Sequence, residues 1–405
     1  MRILIVTDSL SIGGTAKSLI GFLQRAMEKH AQAQFTLICL DSENSLISQV
    51  PPGVSIHYAH KKYSNIRNVR IMRVVQNIVS TGIIDAILCR LLRSIRPESE
   101  EENLRKIMYR SQRYSEKQAL LYKPEKEEYD VAISWTEMTA MYYLVNRAHA
   151  RVKISWIHPN YLEAGFSPRI DEKYIGKIDF IASVSKKNRD DLRTAFPMLK
   201  NKALAIYNCI DREKINRMAF MGISDSAWKK GVFHLVTVCR LHNQSKALFR
   251  AISVCKRLDV EGLDFQWIFV GDGPDKIAAD RANEKEGLKD RLAFIGYREN
   301  PYPYMKEADL FVLQSYYEGK PLVIDEALCL GIPVLVTDYT SANEQVTDGV
   351  DGWIVKNEEN AIYQKLKAIL QNREMVNNMR RIAKGRPAET EDDTDTLDML
   401  CNYKG

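Results

Sequence analysis

The chain has 405 residues, too many for one ordinary hydrophobic core, so two domains are expected. A 45% hydrophobic and 27% charged composition excludes wholesale disorder, and a net charge of +6 allows an anionic ligand or surface without requiring one. The longest apolar stretch, "IVSTGIIDAILC", is interrupted by Asp85 and too short to span a bilayer, so any membrane association is expected to be peripheral.

The N-terminal "MRILIVTDSL" reads as a first strand and not as a signal peptide. Further apolar runs follow at 35–41, 54–59, 131–135, 153–158, 180–185 and 203–208, making with 2–8 a first set. A second set lies at 234–240, 266–273, 292–297, 310–315, 333–338 and 352–355. Runs apolar on both faces, separated by helix-like segments, indicate parallel sheets covered on each side. The expected architecture is α/β, with two Rossmann-like doubly wound domains facing a cleft. The boundaries expected are 1–212 for the first domain, 213–232 for a polar, irregular linker, 233–375 for the second domain and 376–405 for a C-terminal helix or tail. Between 60 and 128 strand signals vanish and charged helical sequence takes over. Seven cysteines without metal-type spacing read as buried free thiols in a reducing cytoplasm.

Ligands in such folds meet the carboxyl ends of strands. After the first strand, Gly13 and Gly14 in "SIGGTAK" suit either an ordinary strand–helix turn or close approach of an anion to a helix N-terminus. "SWIHPN" puts His158 at a strand end. "VCRLHNQSK" puts Arg240 at a strand end and Lys246 near a helix start, which would let two cations grip a diphosphate. "VGDGPDK" reads as a structural turn. In "SYYEGKPLVIDEAL", Glu318 follows a strand and Glu326 lies in the next helix, with Gly319, Lys320 and Pro321 shaping the loop between.

Taken in order, these motifs resemble the retaining glycosyltransferases of family 4, which have the two-domain GT-B fold. The likeness runs over nearly the whole chain, through "YDVAISW", "ISWIHPN", "CRLHNQSK", "FVGDGP", "FIGY" and "DGVDGWIV" as well, and the Glu318–Glu326 spacing is the E-x7-E signature. "WIHPNY" and the helical insertion look most like bacterial members that build capsular or other surface polysaccharides. The resemblance implies that Glu318 takes donor-sugar hydroxyls, with amides from Gly319 through Lys320 and Pro321 to Leu322 around the sugar and phosphate. Glu326 would bind the ribose and Arg240 and Lys246 the diphosphate. Tyr297 and Arg298 would meet the base, Gly14 the donor phosphate or acceptor, and His158 the donor sugar. Lys320, Ala247 and Asp325 depart from the family pattern.

The expected activity is transfer from a nucleotide-sugar, a UDP-sugar, to a glycan or glycolipid acceptor linked to polyprenyl diphosphate. Fixed cations and helix N-termini would stabilise the leaving diphosphate, with no metal or other cofactor. The resemblance implies front-face attack with the leaving phosphate taking the acceptor's proton, and Glu318 would not act as a covalent nucleophile. The alternatives are an epimerase or phosphorylase of the same architecture and a non-enzymatic nucleotide-sugar-binding scaffold. Between Lys61 and Arg96 eight basic residues interleave with apolar ones against the single acid Asp85. That pattern suits peripheral contact with anionic lipid at the cytoplasmic face of the membrane, and no nucleic acid is expected.

Overall fold

The structure, a computed structural model, describes residues 1–41, 44–59, 100–222 and 228–384. The basic stretch 61–96 and the terminal segment 385–405 lie outside the described residues. The chain divides into two compact units, one over Met1–Tyr207 and the other beginning at Asn208.

Each apolar run read from the sequence is a strand. In the first unit these are β1 (Arg2–Thr7), β2 (Gln34–Cys39), β3 (Ser55–Tyr58), β4 (Glu128–Ser134), β5 (His149–Ile157), β6 (Phe180–Ser183) and β7 (Ala203–Ala205). They form a parallel sheet in the order β3-β2-β1-β4-β5-β6-β7. In the second unit β8 (Phe233–Val238), β9 (Phe265–Val270), β10 (Leu292–Phe294), β11 (Leu310–Leu313), β12 (Val334–Thr337) and β13 (Gly352–Val355) are ordered β10-β9-β8-β11-β12-β13, again parallel.

Period-two alternation explains why these strands look apolar throughout. Ile3 and Ile5 of β1 enter one core and Leu4 and Val6 the core on the opposite face. In β9, Phe265, Trp267 and Phe269 face one way and Ile268 and Val270 the other. Both sheets are therefore helix-covered on two sides, and functional groups are left to the strand ends.

Part of the segment expected to be helical between 60 and 128 is the helix Glu100–Leu121. It is pinned by buried polar groups. Asp171 is 1% exposed and accepts hydrogen bonds from the Tyr142 hydroxyl, the Tyr161 hydroxyl at 2.7 Å and Gln112 Nε2 at 2.8 Å. The stretch expected as an irregular linker carries the helix Arg212–Ala219, whose Ile215 and Ala219 enter the second unit's core. An amphipathic turn set in polar sequence is masked in a reading that looks for apolar runs. Among the described residues no helix is long and apolar enough to cross a membrane.

Candidate functional site

In the second sheet the strand order reverses between β8 and β11, and the loops leaving these two neighbours carry the predicted cations and carboxylates. The loop after β9 is built on glycine and packs on the loop after β8. Gly271 has φ +149°, and a Cβ there would lie 1.9 Å from the Cys239 carbonyl oxygen; one at Gly273 would lie 2.4 Å from that of Leu241. The "GDGP" turn can thus press against the chain leading to Lys246. Leu241 N–H donates to Asp272 O at 2.9 Å, Asp275 N–H to Leu241 O at 3.1 Å, and Asn243 N–H to Asp275 Oδ2 at 2.7 Å. The structural reading of this motif stands, and its role is to fix the cation loop.

Lys246 ends the short helix Asn243–Lys246, and Ala247 then turns left-handed with φ 53° and ψ 46° before the helix Leu248–Val260. A left-handed alanine costs roughly 1–2 kcal/mol, which is the physical reason a glycine would suit this place. Here the Ala247 carbonyl accepts from Gln314 Nε2 at 3.0 Å, and Tyr316 N–H donates to Ser245 O at 2.8 Å, tying the β8 and β11 loops together.

Lys246 Nζ and the Ser315 hydroxyl, the latter at 2.5 Å, both donate to Glu318 Oε1. Among the described residues no hydrogen-bond donor reaches Oε2. The side chains of Lys246 and Glu318 are 18% and 11% exposed. Burial works against the Lys246 charge, yet Glu318 beside it holds the ammonium above its ordinary range, so Lys246 is charged at neutral pH. Arg240 is exposed and makes no ion pair among the described residues. His242, without evident partner in the sequence, has Nδ1 3.2 Å from the Ser245 hydroxyl.

The other predicted residues of this unit lie along the same carboxyl edge. Glu326 is 4% exposed within the helix Leu322–Cys329 and accepts from the Tyr302 hydroxyl at 3.1 Å. Tyr297 and Arg298 follow β10, and Arg298 Nε donates to the Tyr304 hydroxyl at 3.1 Å. β9 and β8 separate β10 from β11, so the strands that lead to Tyr297 and Glu318 lie three spacings apart, about 14 Å. Lys320 is turned inward, its ammonium 3.1 Å from Asp325 Oδ2.

Gly14 and His158 belong to the first unit. Gly14 opens the helix Gly14–Lys29, which has no side-chain cap, and a Cβ at Gly14 would meet nothing within 4 Å. Packing does not demand glycine there. His158 follows β5 and bonds through Nε2 to the Trp135 carbonyl at 2.8 Å. Burial pushes its pKa down to about 4 despite that bond, so the ring is neutral with its proton on Nε2.

A cluster at the first sheet's own reversal, between β1 and β4, went unremarked in the sequence. Asp8 accepts from the Thr136 hydroxyl at 3.1 Å, and burial, then the neighbouring Glu137, raise its pKa to about 7. Met138 beside them has φ 57°. The signal was available: Asp8 closes the "RILIVTD" run at the end of β1, an interior strand.

Comparison with known proteins agrees with this geometry. The family described as "Glycosyl transferases group 1" matches residues 223–386. That match lies in the second unit. Over 232 residues, 56% of the chain, it is 28% identical to the Campylobacter jejuni N-acetylgalactosamine-N,N'-diacetylbacillosaminyl-diphospho-undecaprenol 4-alpha-N-acetylgalactosaminyltransferase, of which 61% is covered. Over 133 residues, 32% of the chain, it is 32% identical to the Escherichia coli UDP-Gal:alpha-D-GlcNAc-diphosphoundecaprenol alpha-1,3-galactosyltransferase, of which 34% is covered. The chain thus spans less than two thirds of either relative. Among solved structures, Anabaena HepE in complex with UDP-glucose superposes with a TM-score of 0.68 at 16% identity, covering 99% of this chain and 98% of that one. The two-unit architecture is the GT-B fold.

Proposed function

We propose that this chain is a retaining, family 4-like glycosyltransferase that moves a sugar from a UDP-sugar to a growing surface polysaccharide carried on polyprenyl diphosphate. The observation that carries the reading is the convergence of Lys246 and Glu318, with Arg240 on the same loop as Lys246, at the strand-order reversal of the unit that matches the glycosyl transferases. Glu318 Oε2 takes donor-sugar hydroxyls, Lys246 and Arg240 take the diphosphate, and the stretch from Glu318 to Tyr297 suits a ligand extended from sugar to base.

In the reaction the anomeric carbon–phosphate oxygen bond breaks and the diphosphate leaves with the bonding pair. The acceptor hydroxyl attacks from the same face, and its proton passes to the departing phosphate oxygen. Negative charge grows on the diphosphate in the transition state, so cations fixed there lower the barrier. Arg240 supplies a planar fork and Lys246 a point charge, and with both in place catalysis is expected to need no metal. The two relatives, both named for diphospho-undecaprenol-linked substrates, support the acceptor class, and the HepE complex supports the uridine nucleotide. The basic stretch 61–96 would bring the enzyme to the lipid carrier from the cytoplasmic side.

The test is turnover of a panel of UDP-, GDP- and ADP-sugars with a polyprenyl-diphosphate-linked acceptor, with and without chelator. NMR of the product anomer reads the stereochemistry. Turnover of a UDP-sugar with retained configuration supports the proposal, whereas absence of both binding and hydrolysis across the panel sinks it.

A further inference from the structure

We infer that Lys320, Asp325 and Gln345 form a buried lock that aims the Gly319–Leu322 amides at the donor, so that Lys320 acts by positioning and not by contact. The inference rests on the donor-site reading above. Lys320 lies between Gly319 and Pro321 in a loop where a lysine would ordinarily extend into water, yet its side chain is 1% exposed. Burying an ammonium costs several kcal/mol unless it is paired. The partner is Asp325 Oδ2 at 3.1 Å, in the opening turn of the helix Leu322–Cys329.

The same Asp325 oxygen accepts from Gln345 Nε2 at 2.9 Å, and that Nε2 also donates to the Pro321 carbonyl at 3.1 Å. One turn of chain earlier, the Ser341 hydroxyl donates to the Gly319 carbonyl. Gln345 and Ser341 are both 0% exposed. Two carbonyls of the loop are therefore drawn inward. A trans peptide is planar, with its N–H opposed to its C=O. Inward carbonyls at Gly319 and Pro321 consequently turn the N–H groups of Lys320 and Leu322 away from Ser341 and Gln345. The N-cap residue Pro321 has no side-chain cap bond to the helix that begins at Leu322, which keeps the amide of Leu322 clear of a competing side-chain cap. The buried pair thus sets the orientation of the amides beside Glu318.

Three variants test this: Lys320→Met, the double Lys320→Met with Asp325→Leu, and Gln345→Met. Each is measured by calorimetric titration with UDP, GDP and ADP, by KM and kcat for a UDP-sugar, and by thermal midpoint. Lys320→Met strands a buried carboxylate, so both midpoint and affinity should fall. The double variant removes both charges, so its midpoint should recover while UDP Kd and donor KM stay raised about tenfold. Gln345→Met should raise Kd similarly with Lys320 and Asp325 intact. A double variant that folds and binds UDP as tightly as wild type overturns the lock alone. A wild-type protein that binds none of the three nucleotides overturns the donor reading and the lock with it.

Discussion

Replacing Asp8 by asparagine should make the protein more stable at alkaline pH. Asp8 lies at the end of β1, where burial and Glu137 raise its pKa from 3.8 to about 7. A carboxyl whose folded-state pKa is raised binds more protons in the folded than in the unfolded chain. Its favourable contribution is complete below the unfolded pKa of 3.8 and is lost as pH climbs through about 7. At 1.36 kcal/mol per pKa unit, the shift corresponds to about 4 kcal/mol, and the solvent contact Asp8 keeps reduces this to about 2–4 kcal/mol. Asparagine retains an oxygen to accept from the Thr136 hydroxyl and has no charge to desolvate. In a unit of this size such a difference is on the order of 5–15 °C in thermal midpoint. Midpoints of wild type and Asp8→Asn should agree near about pH 4 and diverge towards about pH 8, with the variant higher. Trp135, stacked on Trp156 with ring centroids 4.6 Å apart, reports this unit's unfolding by fluorescence. Glu137 and His158 remain in both proteins, so their titration largely cancels in the difference. Parallel pH profiles, or a variant less stable at alkaline pH, would refute the reasoning.

Arg240→Ala should leave the thermal midpoint unchanged while lowering turnover by about 10²–10³-fold, and lysine should restore it poorly, as measured by initial rates. Lys246→Met should lose activity to a similar degree and also cost about 2–4 kcal/mol in denaturant unfolding, because it strands Glu318 in a mostly buried place. Gly271→Ala should cost more than about 3 kcal/mol or block folding, since its Cβ would meet the Cys239 carbonyl at 1.9 Å; Gly14→Ala, facing open space, should leave the midpoint alone. Asp171→Ala should destabilise the first unit by about 3–5 kcal/mol in urea titration by stranding the donors of Tyr142, Tyr161 and Gln112.

The sequence by itself determined both sheets. A strand buried on two faces has to be apolar at successive positions, and that pattern survives in one dimension from "RILIVTD" to "GWIV". It also pointed to the loops of the candidate site, because Arg240, Lys246 and Glu318 each follow such a run and ligands meet strand ends. Partnership was beyond its reach. Lys246 and Glu318 are 72 residues apart, and only the β8–β11 adjacency brings their side chains together. Lys320 departed from the family pattern with no partner legible in the chain, whereas the fold turns it inward to Asp325. Asp8 passed for the last residue of a strand until folding placed Thr136 and Glu137 beside it. Periodicity is a local property and is written in the chain; the environment of a charge depends on what the fold sets against it.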